Sequence, residues 1–142
     1  MIMLSEQVKH LELIQNVISR MSGNCFLLKG WSVTLGAALL GLTAKESNPK
    51  FALIALFPPI VFWGADAYYL RQERLFRKLY DRIRELTDAQ WPDSGKFDMS
   101  TSTQAPDVPT WTRSLLDASV CGIHLTVLVI VLVILILFRS SR

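Results

Sequence analysis

Apolar residues follow two patterns along this chain. Over residues 1–22 and again over 71–90 they recur every three or four positions among charges, as on a helix with one buried face. Elsewhere they run almost unbroken: CFLLKGWSVTLGAALLGL over 25–42, FALIALFPPIVFWGADAYYL over 51–70 and ASVCGIHLTVLVIVLVILILF over 118–138. Charge is nearly excluded from these blocks, with Lys29 in the first, Asp66 in the second and none in the third. A helix in water alternates its faces, so runs that do not alternate need an apolar solvent. At ~1.5 Å per residue each block spans roughly 27–32 Å, close to the hydrocarbon thickness of a bilayer. The pattern predicts an all-α integral membrane protein with about three transmembrane helices, at 25–43, 51–70 and 115–138. A cytoplasmic antiparallel helical extension is expected from residues 1–22 and 71–90, and a polar linker or cap from residues 91–114.

The first amphipathic segment carries Leu4, Val8, Leu11, Ile14, Ile18 and Met21 as one stripe. Ser22, Gly23 and Asn24 are expected to break or bend the chain before the membrane run. A secretory signal sets an apolar stretch directly after a short basic region, which is not the order here, so the start is expected to be mature sequence. The second segment continues the second span without a breaker, and Phe76, Leu79, Ile83 and Leu86 form a two-heptad seam. Helix one enters the membrane and helix two leaves it on the same side. Their extensions should therefore pack as a hairpin roughly 25–30 Å long, or else lie on lipid headgroups. Residues 91–112 are rich in Pro, Ser, Thr and Asp, and no regular structure is expected there.

At 142 residues there is room for one compact unit, and 51% of the residues are hydrophobic. Basic residues set the orientation. With the N-terminus inside, Lys9, Arg20, Arg71, Arg74, Arg77, Lys78, Arg82, Arg84, Lys96 and Arg113 are cytoplasmic, while Lys45, Lys50, Arg139 and Arg142 lie outside. The bias favours a cytoplasmic N-terminus and a periplasmic C-terminus in a bacterial inner membrane. Trp31, Trp63, Tyr68 and Tyr69 then fall towards the cytoplasmic interface, as interfacial aromatics do. The same bias accounts for the net charge of +3 without invoking nucleic acid.

Chemistry is sparse. Lys29 is the fifth residue of its block and Asp66 the fifth from the end of its own, so an antiparallel hairpin sets them at similar depth. Charges inside a span are costly when unpaired. They form an intramembrane pair, or Lys29 snorkels to headgroups while Asp66 meets water, or they mark an ion or proton path. Ser32 and Gly36, and Ala37 and Gly41, are small residues four apart that suit close helix packing. Pro58 and Pro59 fall mid-block and predict a kink. Cys121 and His124 share a helical face, but with Cys25 and His10 they lack metal-ligand spacing, so no metal or cofactor is expected. Both cysteines should remain free thiols in a reducing compartment. No phosphate loop or nucleophile elbow is present, which argues against an enzyme.

IQNVISRM at 14–21, LKGW at 28–31, FW at 62–63, DAYYLRQERLFRKLYD at 66–81 and FDMS at 97–100 together resemble a widespread family of small uncharacterised bacterial membrane proteins. The likeness covers residues 11–100 and implies no activity. In layout the chain also resembles the SLATT-type transmembrane effectors, which are associated with nucleotide-signalled or otherwise guarded anti-phage systems and are proposed to form pores. That resemblance implies a homo-oligomeric effector that opens or perturbs the inner membrane, triggered by a cytoplasmic partner or signalling ligand. The alternative is a non-enzymatic anchor or structural subunit that recruits a soluble partner through residues 71–117. Self-association is expected through Ser32, Gly36, Ala37 and Gly41 in the membrane and through the Phe76–Leu86 seam outside it. Reporter fusions at residue 47 should read periplasm and at residue 95 cytoplasm. A periplasmic signal at 95 would overturn the orientation drawn from the basic residues.

Overall fold

The computed structural model describes residues 5–46, 49–87, 89–91 and 96–140; Leu4 of the expected stripe and parts of the linker lie outside them. Among the described residues every regular element is helical: α1 (Ser5–Glu46), α2 (Pro49–Ile54), α3 (Phe57–Glu85), a 3-10 turn (Ser102–Asp107), α4 (Trp111–Ser114) and α5 (Ala118–Ser140). Two helices, α1 and α5, are long and apolar enough to cross a membrane. Three had been expected.

The difference comes from the prolines. Block 51–70 is not one kinked helix: α2 ends at Ile54 and α3 starts afresh at Phe57, with Pro58 and Pro59 in its first turn. The first four amides of a helix have no intrahelical acceptor, so the missing N–H of each proline costs least there. Between the two helices Ala55 N–H donates to Phe51 O at 2.9 Å and Leu56 N–H to Leu53 O at 3.2 Å. The apolar part of α3 is too short to qualify as a span by itself.

α1 departs from expectation in the opposite sense. It continues for 42 residues through Ser22, Gly23 and Asn24 without a break. One glycine inside a helix costs only about 1 kcal/mol, and there is no proline to remove a bond. Ile18 and Cys25 are buried on either side of Gly23, so packing holds the helix straight through it. At ~1.5 Å per residue, α1 measures about 63 Å, roughly twice a bilayer's hydrocarbon core.

α1 and α3 lie antiparallel. Leu11, Ile14, Ile18, Leu79, Ile83 and Trp91 form one apolar core, with Phe76, Tyr80, Leu86 and Met99 packed on it. The seam expected at Phe76, Leu79, Ile83 and Leu86 is therefore used within the chain, against α1, and is not free to join copies. At the tip, Gln7 Nε2 donates to Ile83 O at 2.8 Å and Leu86 O at 3.2 Å, taking up carbonyls that the end of α3 leaves open.

The 91–114 segment is more ordered than its composition predicts. Trp91 is fully buried over the hairpin core, and Gln104 and Val108 are buried further along. His10 lies between the Trp91 and Phe97 rings, at centroid distances of 5.4 and 5.6 Å, and its Nε2 meets Asp98 O at 3.1 Å. Lys96 ties the strap to Glu6 at 2.7 Å. Phe97 adopts a left-handed backbone, φ 60°, where the chain turns onto α1.

α5 runs parallel to α1 and antiparallel to α3. Arg74 meets Asp117 and Asp66 meets His124 along α3, while Ser32 meets His124 along α1. Gly36 lets α5 approach, since a Cβ there would lie 3.1 Å from Val127 Cγ1. Gly41 has nothing within 4 Å of such a Cβ. The expected small-residue stripe thus splits: Ser32 and Gly36 are buried within the chain, and Ala37 and Gly41 are exposed.

Ile14→Ala should lower hairpin stability by about 2–5 kcal/mol, whereas exposed Val8→Ala should change little. Gly36→Leu should lower the melting temperature, and Gly41→Leu should leave it unchanged. Thermal unfolding in detergent followed by circular dichroism checks all four.

Candidate functional site

Three helices bring polar side chains together in the apolar part of the bundle. α1 supplies Lys29 and Ser32, one turn apart on the same face; α3 supplies Asp66; α5 supplies His124. Lys29 Nζ meets Asp66 Oδ2 at 2.5 Å. His124 Nε2 meets the same oxygen at 3.2 Å, and His124 Nδ1 meets Ser32 Oγ at 3.1 Å. Cys25 Sγ points at the Asp66 backbone carbonyl from 3.8 Å. Ser32, Asp66 and His124 are fully buried, and only Lys29 reaches the surface, with 18% of its side chain exposed.

The local sequence explains each placement. Lys29 and Ser32 follow Leu11, Ile14, Ile18 and Cys25 on the buried line of α1, so the face that packs the hairpin core also presents the polar pair to α3 and α5. Asp66 follows one such line on α3, ahead of Leu75, Leu79 and Ile83. A buried ion pair repays its desolvation best when its remaining polar atoms are satisfied. Here one carboxylate oxygen serves both nitrogens, and Asp66 Oδ1 is buried without a partner among the described residues.

The hydrogen bonds fit a neutral imidazole with its proton on Nε2. That N–H donates to the carboxylate, and Nδ1 accepts from the Ser32 hydroxyl. The cluster is then charge-balanced, with one ammonium and one carboxylate. It can fix helices against one another and hold a proton, and it sets the Ser32 hydroxyl against the His124 ring, whose other nitrogen meets the Asp66 carboxylate. Among the described residues no three His, Cys, Asp or Glu side chains group as metal ligands.

A second set of contacts clasps the start of α5. Arg74 meets Asp117 at 2.5 Å, Trp63 Nε1 donates to Leu115 O at 2.9 Å, and Trp111 Nε1 donates to Gly64 O at 2.9 Å. The Arg74 guanidinium, with the hydroxyl and backbone N–H of Ser119, holds the Asp117 carboxyl down at about 2. A carboxyl held below its unfolded value contributes stability above the ordinary range near ~4 that is lost as pH falls towards 2.

Lys29 and Asp66, set at one depth by their sequence positions, lie together. Ser32, expected to serve helix packing, is also a hydrogen-bond partner. His124, paired by spacing with Cys121, instead faces Asp66 and Ser32, while Cys121 Sγ turns to Leu116 O at 3.9 Å. Pro58 and Pro59 lie at the start of α3, away from the cluster.

Removing one partner of a buried pair strands the other, so Lys29→Ala and Asp66→Ala should each cost about 3–5 kcal/mol. The exchange Lys29→Asp with Asp66→Lys should recover only part of the loss, because the new lysine would face His124. Chemical denaturation of the reconstituted protein checks this, and full recovery would exclude His124 as an energetic partner. No family model, curated protein or solved structure matches the chain.

Proposed function

We propose that the chain is a multi-pass inner-membrane protein that assembles with copies of itself and alters the permeability of the bilayer. The observation that carries this is an inverted burial pattern. In the bundle Ser32, Asp66 and His124 are fully buried, and Phe26, Leu27, Phe57, Leu116, Ile136 and Leu137 are exposed by 57% to 78%. A protein in water exposes isolated apolar residues, whereas here large apolar side chains are exposed on α1, α3 and α5 alike. The hairpin beyond it has the ordinary order, with apolar side chains inside and Arg77, Lys78, Arg82 and Arg84 outside.

Chain direction supports three crossings. α1 and α5 run the same way, so if both cross, the chain must return through the same slab between them, and α2 and α3 are the only segments available. The return is then a broken helix, whose interruption at residues 55–56 is shielded by its neighbours. Ala55 is fully buried there, as shielding requires. The bias of basic residues sets the N-terminus in the cytoplasm and the C-terminus outside.

An ionisable cluster inside an apolar slab is the default candidate for a working part. In the permeability reading it is the element that opens. The exposed Ala37 and Gly41 face outwards from the bundle and suit contact between copies. The resemblance to guarded anti-phage effectors fits such a role and supplies its biological setting. A second reading, an anchor that recruits a soluble partner, is favoured by one fact: the hairpin core is sealed within the chain, leaving a charged outer face to meet something else.

Overexpressed wild type should dissipate the membrane potential, read with a potential-sensitive dye, and run as an oligomer in nanodiscs. Gly41→Leu should reduce both without unfolding the chain. A monomer at all concentrations would remove the assembly, and an oligomer that preserves the potential would leave the anchor.

A further inference from the structure

We propose that the cluster is a proton-binding site that works by partner exchange: His124 takes up a proton, Asp66 pairs with the imidazolium, and Lys29 is released towards the interface. The inference rests on the membrane reading of the bundle and adds to it a ligand, the proton, and an event.

One oxygen, Asp66 Oδ2, is shared by two nitrogens of different kinds. Lys29 carries a permanent charge, while histidine is the side chain that changes charge between about pH 5 and 8. With neutral His124 the site sums to zero. Adding a proton at Nδ1 makes it +1, which a low-dielectric interior does not tolerate. Two features allow the addition. Ser32 Oγ lies against Nδ1 and, as a hydroxyl, can change from donor to acceptor without moving a heavy atom. Lys29 is the one member open to solvent, and its long stem lets the ammonium withdraw to headgroups or water. Once it withdraws, imidazolium and carboxylate balance, and the buried charge is again zero. The unpartnered Oδ1 of Asp66 gives the carboxylate spare acceptor capacity for that rearrangement.

The charged and titratable groups facing His124 are few. α1 contributes Lys29, with Cys25 beyond it, and α3 contributes Asp66. On α5 the Cys121 thiol lies one turn before His124 with its Sγ turned to Leu116 O, and Asp117 is engaged by Arg74 at the start of the helix. Lys29 pins α1 to α3, so its release frees the α1–α3 contact at the depth where α5 also docks. Proton uptake would therefore loosen the bundle from the Lys29 side.

Only two histidines occur in the chain, so His10→Gln leaves His124 as the single imidazole. The test is ¹⁵N NMR of that protein in nanodiscs from about pH 5 to 8.5. His124 should titrate within the range. Asp66→Asn, which removes the anion, should lower its midpoint by about one unit or more, and Lys29→Gln, which removes the competing cation, should raise it by a similar amount. Lys29→Gln keeps the carboxylate and maintains the test should Asp66→Asn fail to fold. A ring locked in one state across the range, or a midpoint indifferent to Lys29→Gln, overturns the exchange. Because the readout is the ring itself, a titrating His124 in a protein that passes no current would sink the permeability reading and leave this one standing.

Discussion

The carboxylate of Asp66 is the point at which three helices meet, and the bundle is organised around keeping it paired. A carboxylate removed from water is tolerated only with donors on hand, and here the donors come from both neighbours, Lys29 on α1 and His124 on α5. While the imidazole is neutral, Lys29 cannot leave without stranding it. Ordinary apolar contacts could slide along these helices, which present Leu, Ile and Val in near-uniform rows. An anion with two specific partners cannot slide. The polar cluster thus sets axial register where hydrophobic packing specifies little, a role best attested for single polar residues in coiled coils.

The rest of the molecule divides into parts that differ in what they bury and what they expose. The hairpin tip obeys the rules of a protein in water, with Ile14, Ile18, Leu79 and Ile83 inside, and Trp91 closing the end. The bundle turns those rules inside out. α1 and α3 belong to both parts. The aromatic and ionic clasp of Trp63, Trp111, Arg74 and Asp117 lies where α5 begins, so the third helix is fixed at its root by directional contacts and along its length by close approach at Gly36.

What could be inferred from sequence was whatever depended on one helix or on two consecutive ones. The apposition of Lys29 and Asp66 followed from counting depth in an antiparallel hairpin, and the Leu79–Ile83 seam from its spacing. His124 was missed because its partners lie 92 and 58 residues away, and periodicity carries no information about which third helix docks where. Pro58 and Pro59 were misplaced because hydropathy reads the same on either side of a break; only the backbone distinguishes a kink from a helix start. Ser22, Gly23 and Asn24 looked like a stop, but weak local preferences give way to packing on both flanks. In the 91–114 segment polar composition concealed the role of a few large residues. Trp91 and Met99 were too sparse to register as a pattern, yet they cover the hairpin core.

The unbroken course of α1 has a consequence of phase. Leu11, Ile18, Cys25 and Ser32 are buried at intervals of seven, on one line running from the hairpin core into the polar cluster. A seven-residue repeat drifts around a straight helix by ~20° per step, and the four-residue step from Ser32 to buried Gly36 takes up that drift before buried Thr43. The two ends are then locked in angle. One residue inserted between Ile18 and Cys25 would turn the cluster by ~100° against the hairpin, while seven would restore its direction but carry it ~10 Å along the axis, away from Asp66.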